Sequence, residues 1–179
     1  MKAEKLRVFF ALWPDAGVAK RLEALAGRLH GACGGRRMRR ETLHLTLAFV
    51  GDVDRDRLPA LEAVGDAVGG PGFELPIDAV GYWPHNRIVW AGSTACPVAA
   101  ARLADDLALA LASAGFEIEK RRFVPHVTLV RKAARPPPDF AMVSHRWPCT
   151  EFVLLASDRG ESGSSYRRLA SWPLAEAAT

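Results

Sequence analysis

Short runs rich in β-branched and aromatic residues alternate along this chain with longer stretches in which apolar residues recur every three or four positions. The first run, residues 6–12, predicts a buried strand. The stretch that follows carries its apolar side chains on one face at helical spacing, which predicts a helix capped by Asp15 and ended by Gly31. The pattern therefore indicates a mixture of strands and helices.

The same two patterns recur to the end of the chain and predict two more helices and six more strands. The predicted helix boundaries are Asp54 or Asp56 to Gly69, and Pro97 to Gly115. The predicted strands are residues 42–50, 73–80, 87–91, 123–130, 151–156 and 165–174.

Two halves of the chain repeat one another. The strand at residues 7–11 recurs at an offset of 80 residues, and the tripeptide that starts at His44 recurs at His126, an offset of 82 residues. A helix and a basic loop separate the strand from the tripeptide in both halves. The near-equal offsets predict two similar lobes related by a pseudo-twofold axis. The repeats are roughly residues 6–70 and 86–135 of a single domain, residues 1–179.

The repeated tripeptide is His-x-Thr, and it opens a strand in each half. Because residues two apart on a strand share a face, His44 and Thr46 lie on one face with Ala48. The opposite face carries Leu45, Leu47 and Phe49. In the second half, His126 and Thr128 share a face in the same way. Pseudo-twofold symmetry would bring both polar faces to one cleft.

Two imidazoles and two hydroxyls around one small volume suit the cleavage of a phosphodiester. One histidine can take a proton from water while the other protonates the leaving oxygen, and the threonine hydroxyls can donate to the non-bridging oxygens. One such tripeptide carries little information, because His and Thr are ordinary strand residues, but two at equivalent places indicate a shared site. The other histidines lie at a helix end or in loops and are predicted to be surface residues: His30, His85 and His145.

Composition narrows the class of protein further. Apolar residues make up 49% of the chain, and the net charge of +4 suits an anionic partner without demanding one. The three cysteines are far apart, and no carboxylate cluster accompanies the histidines, so we expect no metal and no other cofactor. No stretch approaches the ~20 apolar residues that a membrane span needs. We expect a cytoplasmic monomer without membrane association.

On these motifs the chain resembles the two-histidine (2H) phosphoesterase superfamily, and within it the bacterial RNA 2′,3′-cyclic phosphodiesterase family, also called 2′-5′ RNA ligase. The likeness covers nearly the whole chain, including residues 43–51, 87–92, 125–131 and 166–174. It implies a bilobal α+β fold with antiparallel sheets lining a central cleft and helices outside. It also implies metal-independent hydrolysis of RNA-terminal 2′,3′-cyclic phosphate to a 2′-phosphate.

The resemblance further implies roles for single residues. His126 would activate water and His44 would protonate the departing 3′-oxygen, although the two motifs are nearly equivalent and the sequence does not order them. Arg131 matches an arginine expected at the phosphate, beside Thr46 and Thr128. Strict alternation from His126 would turn Arg131 away, so a bulge or strand end must redirect it.

A cluster of positively charged residues precedes each His-x-Thr motif. Each cluster either consists of solvated loop residues or, because the clusters recur at equivalent positions, forms a track for the RNA backbone. They are Arg36, Arg37, Arg39 and Arg40 before the first motif, and Lys120, Arg121 and Arg122 before the second.

Two other functions share this site. A 2′-5′ RNA ligase would run the same transesterification backwards, and the sequence does not separate it from the hydrolase. A nucleotide-binding module without turnover would hold a phosphate between the histidines, but binding alone does not require both histidines and both threonines.

Overall fold

The computed structural model describes residues 5–119, 122–139, 142–160 and 163–176. Over these residues the chain forms three α-helices and ten strands, so the predicted α+β class is confirmed. The helices are α1 (Ala16–Cys33), α2 (Leu58–Ala67) and α3 (Val98–Ser113). The strands are β1 (Lys5–Leu12), β2 (Arg36–Arg37), β3 (Leu45–Asp54), β4 (Phe73–Ile77), β5 (Ala79–Trp83), β6 (Ile88–Gly92), β7 (His126–Arg131), β8 (His145–Cys149), β9 (Glu151–Gly160) and β10 (Gly163–Pro173).

Eight of these strands form one sheet that runs through both halves of the chain. Its order is β10-β9-β1-β3-β7-β6-β5, and β2 pairs with β7 beside this path. The pairs within it are antiparallel. The two halves meet where β3 and β7 pair through Leu45 and Val127. β4 and β8 form a separate two-stranded sheet.

The helices pack crosswise between the halves. α1 follows β1 in the chain but packs against β7, and α3 follows β6 but packs against β3. The buried faces of both helices join the main apolar core, for example through Leu25 and Leu107. Each motif strand is therefore contacted by the helix of the opposite half, so the two halves share one core.

Helix ends differ from their predicted positions. α1 continues past Gly31 to Cys33, and the chain leaves it at Gly34, whose φ of 67° favours glycine. Asp15 does cap α1, because its side chain accepts a hydrogen bond from the backbone N–H of Val18 at 2.8 Å. Neither Asp54 nor Asp56 caps α2, since a 3₁₀ turn at Arg55–Arg57 precedes that helix.

Strand boundaries also needed correction. The predicted strand at residues 73–80 is two strands in different sheets, β4 and β5. β8 was not predicted at all, and β2 lies within the stretch expected to be only a loop. β7 starts at His126 rather than residue 123, and β3 starts at Leu45 and extends to Asp54. No helix among the described residues is long and apolar enough to cross a membrane.

Candidate active site

The two motif histidines lie at the junction of the two halves. His44 directly precedes Leu45 and His126 directly precedes Val127, and these two apolar residues form the pair that joins β3 to β7. Both histidines therefore lie beside the pseudo-twofold axis. They line one cavity of about 230 Å³ together with Thr46, Thr128 and Arg131. The structure thus brings together all five residues that the sequence proposed for the reaction.

Each histidine is oriented by the same local hydrogen bond. Nδ1 of His44 lies 2.8 Å from the carbonyl oxygen of Thr42, and Nδ1 of His126 lies 2.8 Å from that of Val124. A carbonyl oxygen can only accept, so Nδ1 must carry the proton in both rings. Nε2 of each imidazole is consequently the nitrogen that can exchange a proton with a bound substrate. The symmetry extends from the motif sequence to the bonding of each ring.

Aromatic rings surround the two histidines in different ways. The His44 ring centroid lies 4.9 Å from those of Phe9 and Tyr166, and 6.1 Å from that of Trp13. The His126 ring centroid lies 4.6 Å from Trp83 in an edge-to-face arrangement. The sequence did not identify these aromatic neighbours, because they come from strands whose proximity only the sheet order defines.

The pKa of His44 is lowered from the ordinary 6.5 to about 4, and burial is the largest cause. The hydrogen bond to Thr42 raises the pKa, while positive charge on Arg131 and His126 contributes smaller decreases. In the unliganded protein His44 is therefore neutral near pH 7, with an unprotonated Nε2. An anion in the cavity would favour the charged imidazolium and raise this pKa.

We expect NMR titration of the histidine side chains to show that anion binding raises the pKa of His44. The pKa of His44 should lie well below 6.5 in the free protein and should rise when inorganic phosphate is added, because the phosphate charge stabilises the imidazolium. The His44 resonances are assigned by their absence from the spectrum of the His44→Asn variant. The resonances of His85, which is exposed, serve as a control and should not respond to phosphate. A His44 titration that phosphate leaves unmoved would contradict a phosphate position between the histidines.

Arg131 reaches the cavity because β7 does not keep a regular register. Val89 of β6 pairs with Val130, but Trp90 pairs with Thr128, so one residue of β7 is skipped between the two pairs. This irregularity changes the alternation that would otherwise turn Arg131 away from His126. Arg131 also pairs through its backbone with Arg36 of β2. The redirection that the sequence required is thus present.

Phe49 was assigned to the wrong face. Alternation placed it with the buried residues Leu45 and Leu47, but its side chain is 37% exposed and lines the cavity. Register shifts in the pairing of β1 with β3 account for the change: Phe9 pairs with Phe49, whereas Val8 pairs with Gly51. The guanidinium of Arg7 lies 4.6 Å from the centroid of the Phe49 ring.

Two further cavities flank the one between the histidines, and Thr46 and Phe49 border all three. The cavity on the His44 side, about 590 Å³, is here called the arginine cavity, since its walls include Arg7, Arg36, Arg37, Arg39 and Arg131. The cavity on the His126 side, about 240 Å³, is called the α3 cavity, because Ala104, Asp105 and Ala108 of that helix line it.

The basic residues proposed for RNA binding are distributed unequally between these cavities. Arg40 is directed elsewhere, and its Nη2 donates to the carbonyl oxygen of Ala16 at 2.9 Å. Arg122 lines the α3 cavity. Lys120 and Arg121 lie outside the described residues. Among the described residues, Arg122 of the second segment thus lies on the His126 side of the site, whereas Arg36, Arg37 and Arg39 of the first segment lie on the His44 side.

Other polar groups lie apart from this centre. His30 and His85 are exposed, and His145 opens β8. Cys33, Cys96 and Cys149 are free thiols, and burial raises the pKa of Cys149 to about 12. In the described parts of the chain, no group of three or more His, Cys, Asp or Glu side chains is arranged to hold a metal ion.

Solved structures resemble this chain over nearly its whole length. The crystal structure of apo LigT from Escherichia coli superposes with a TM-score of 0.82 at 32% identity, and the match covers 97% of this chain and 100% of that one. A structure described only as a phosphoesterase matches with a TM-score of 0.85 at 32% identity, over 97% of this chain and 100% of that one. The fold and the paired motifs define a phosphoesterase of the two-histidine class.

The family model described as LigT like Phosphoesterase matches residues 12–90 and 93–159. This chain belongs to the LigT-like phosphoesterase family. A relative from Escherichia coli K12 is named RNA 2′,3′-cyclic phosphodiesterase and is 33% identical over 178 residues, 97% of this chain and 99% of that protein. A relative of the same name from Archaeoglobus fulgidus is 27% identical over 82% of this chain and 84% of that protein. The superfamily resemblance proposed from the motifs is confirmed.

Proposed function

We propose that this protein hydrolyses RNA-terminal 2′,3′-cyclic phosphate to a 2′-phosphate, with His44 and His126 as its proton-transfer groups. One observation carries the proposal. Two imidazoles, each oriented by a 2.8 Å hydrogen bond from Nδ1, line one cavity with two threonines and an arginine. This set provides for both proton transfers and for the charge on the phosphate.

The reaction needs one neutral and one protonated imidazole. His126 as base would take a proton from water as its oxygen attacks phosphorus, and His44 as acid would protonate the departing 3′-oxygen. Because His44 is neutral in the unliganded protein, it must acquire its proton together with the substrate, whose negative charge offsets the positive charge of Arg131 and favours the imidazolium. Thr46, Thr128 and Arg131 would hold the non-bridging oxygens, where transition-state charge concentrates.

The comparisons support this substrate class. The relatives from Escherichia coli and Archaeoglobus fulgidus carry the name RNA 2′,3′-cyclic phosphodiesterase. Escherichia coli LigT has also been crystallised with 3′-AMP and with phosphate. The likeness to these proteins extends over nearly the whole chain, so it includes both motif strands and the helices that pack on them.

The proposal is tested with an oligonucleotide that ends in a 2′,3′-cyclic phosphate, incubated with EDTA and an excess of a second oligonucleotide that ends in a 5′-hydroxyl. Conversion of the cyclic end to a 2′-phosphate supports the hydrolase. Accumulation of a joined product with a 2′-5′ bond would show that ligation dominates instead. Tight binding with neither product would favour a nucleotide-binding module.

A reducing compartment suits the described thiols. Cys33 and Cys149 are buried and Cys96 is exposed, and all three are free. We propose that the protein works in the cytoplasm, as a monomer, where RNA ends are available and exposed thiols stay reduced.

The arginine cavity supplies a path for the rest of the RNA chain. Arg36, Arg37 and Arg39 are exposed, and each of them borders the cavity that His44 and Arg131 also line. β2 is fixed beside the site because Arg36 pairs with Arg131. Arg39 is held against the opposite wall, where its Nη2 donates to the carbonyl oxygen of Ser164 at 3.1 Å. Phosphates that precede the terminal nucleotide would bind along this surface.

Replacing Arg36, Arg37 and Arg39 by alanine is expected to raise KM for an oligonucleotide substrate about tenfold at low salt and to reduce its salt dependence, because fewer phosphates are neutralised. Hydrolysis of a nucleoside 2′,3′-cyclic monophosphate should change little, since it has no preceding phosphate. Initial rates at several salt concentrations measure both effects.

A charge-matched control separates a local track from a general loss of positive charge. Lys20, Arg21 and Arg102 are exposed on α1 and α3 and do not border the arginine cavity. Their replacement by alanine removes the same charge and should leave KM for the oligonucleotide nearly unchanged. Equal losses in both triple variants, or equal losses on the oligonucleotide and the mononucleotide, would contradict a track.

A further inference from the structure

The α3 cavity lies directly beside the cavity between the histidines and differs from it in chemistry. The two cavities share four wall residues: Thr46, Phe49, Trp83 and His126. Beyond these, the α3 cavity is lined mainly by apolar side chains, including Ala104, Ala108 and Ile118. Its volume of about 240 Å³ has room for one planar heterocycle. A concave, mostly apolar surface next to a reaction centre is typical of a ligand subsite.

Aromatic residues form part of this wall. Phe49, Trp83 and Phe123 border the α3 cavity, and Phe49 also separates it from the arginine cavity. Aromatic rings bind nucleobases by stacking without requiring a particular base. The arginine cavity on the other side of Phe49 offers guanidinium groups instead, which suit phosphates. The two flanking cavities therefore fit different parts of a nucleotide.

Two carboxylates provide a basis for selection between nucleobases. Asp105 of α3 and Glu119 line the α3 cavity together with Arg122, and both carboxylate residues are exposed. A carboxylate accepts hydrogen bonds and donates none at neutral pH. It therefore suits the exocyclic amino group of adenine, cytosine or guanine and opposes the 4-carbonyl oxygen of uracil.

We propose that the α3 cavity binds the nucleobase of the terminal nucleotide and that Asp105 and Glu119 select bases with an exocyclic amino group. The inference rests on the proposed function, because it takes the phosphate to lie between His44 and His126. It adds a subsite that prefers certain bases, whereas hydrolysis of the cyclic phosphate does not itself require recognition of the base.

The connectivity of ribose agrees with this placement. The base is attached to C1′, next to the 2′-oxygen, whereas the preceding phosphates are attached through C4′ and C5′, next to the 3′-oxygen. A base on the His126 side and a chain on the arginine side place the 3′-oxygen towards His44. Water that attacks opposite the 3′-oxygen then lies towards His126. The orientation thus matches the assignment of His44 as acid and yields a 2′-phosphate.

Cytidine and uridine 2′,3′-cyclic monophosphate provide a matched pair of probes, since the bases differ at N3 and in the amino or carbonyl group at C4. The wild-type protein should show a kcat/KM about 5- to 10-fold higher for the cytidine substrate, the size expected from hydrogen bonds to partly exposed charged groups. In Asp105→Ala/Glu119→Ala this preference should fall to less than twofold, with most of the loss on cytidine. Equal rates in the wild type, or an unchanged preference in the double variant, would overturn the base selection.

A second variant tests occupancy of the cavity itself. Ala108→Leu narrows the α3 cavity and should raise KM for both nucleoside substrates at least about fivefold. The control is Ala112→Leu, an exposed position on the same helix outside the cavity wall, which should leave KM unchanged. An unaltered KM in Ala108→Leu would place the base elsewhere. If the wild type hydrolyses neither nucleoside substrate nor a cyclic-ended oligonucleotide, the proposed function fails, and this inference with it.

Discussion

Replacing His44 or His126 by alanine lowers the rate of cyclic phosphodiester hydrolysis by at least about 10²-fold, the usual contribution of a general acid or base. The expectation follows from the cavity, where each ring presents Nε2 after Nδ1 is used by a backbone carbonyl. The two losses should not multiply in the double variant, because each proton transfer depends on the other. Single-turnover rates with saturating enzyme measure the chemical step directly.

His85→Ala is the matched control, because His85 is exposed in the turn between β5 and β6 and has no place in the cavity wall. It should keep the wild-type rate. Circular dichroism should show that both motif variants retain the fold, since neither histidine is part of the buried core. A motif variant that is folded and turns over substrate at close to the wild-type rate would remove the two-histidine mechanism.

Arg131→Ala is expected to reduce kcat/KM by about 10²- to 10³-fold, the range found when a donor to transition-state charge is removed. Arg131 lies on the wall of the same cavity as both histidines, so its guanidinium can bind the anion from the β7 side. Arg131→Lys keeps the charge but loses the planar pair of donors, so it should recover only part of the activity. Steady-state kinetics on a nucleoside 2′,3′-cyclic phosphate distinguish the variants.

The effect should be confined to this arginine. Arg102→Ala removes one positive charge from an exposed position on α3 and should leave kcat/KM unchanged. Because Arg131 also lowers the pKa of His44, its loss should raise that pKa, which NMR titration can measure in the same variant. If Arg131→Ala changes neither kcat/KM nor the titration of His44, the arginine does not act at the phosphate.

The sequence was sufficient to predict which residues meet at the candidate site because its signal is local and duplicated. The two His-x-Thr tripeptides supply four of the five residues proposed for the reaction, and strand alternation explains why each His shares a face with its Thr. Pseudo-symmetry then requires only that the two motif strands meet, which they do at Leu45 and Val127.

Features set by strand pairing could not be predicted in this way. The exposure of Phe49 and the direction of Arg131 both follow from register shifts, which depend on the partner strand and leave no mark in the local pattern. The aromatic ring of Tyr166 near His44 comes from β10, more than a hundred residues further along the chain. α1 passed Gly31 because an exposed glycine weakens a helix without ending it, whereas Gly34 has the positive φ that does.

The placement of the first basic segment, residues 36–40, has a similar origin. Arg36 and Arg37 form β2, whose pairing with β7 holds them beside the arginine cavity. Arg40 lies in a 3₁₀ turn that directs its side chain to the start of α1. Both arrangements depend on tertiary contacts, so a count of positive charges before each motif could not distinguish them.

The central claim is tested most directly by phosphorus NMR of cytidine 2′,3′-cyclic monophosphate incubated with the protein in excess EDTA. The account predicts that the cyclic phosphate resonance is replaced by that of the 2′-monophosphate, and that the double variant His44→Ala/His126→Ala leaves it unchanged. A reaction that stops in EDTA and resumes with a divalent ion would contradict the two-histidine mechanism. Formation of the 3′-monophosphate would contradict the assignment of His44 as the acid that releases the 3′-oxygen.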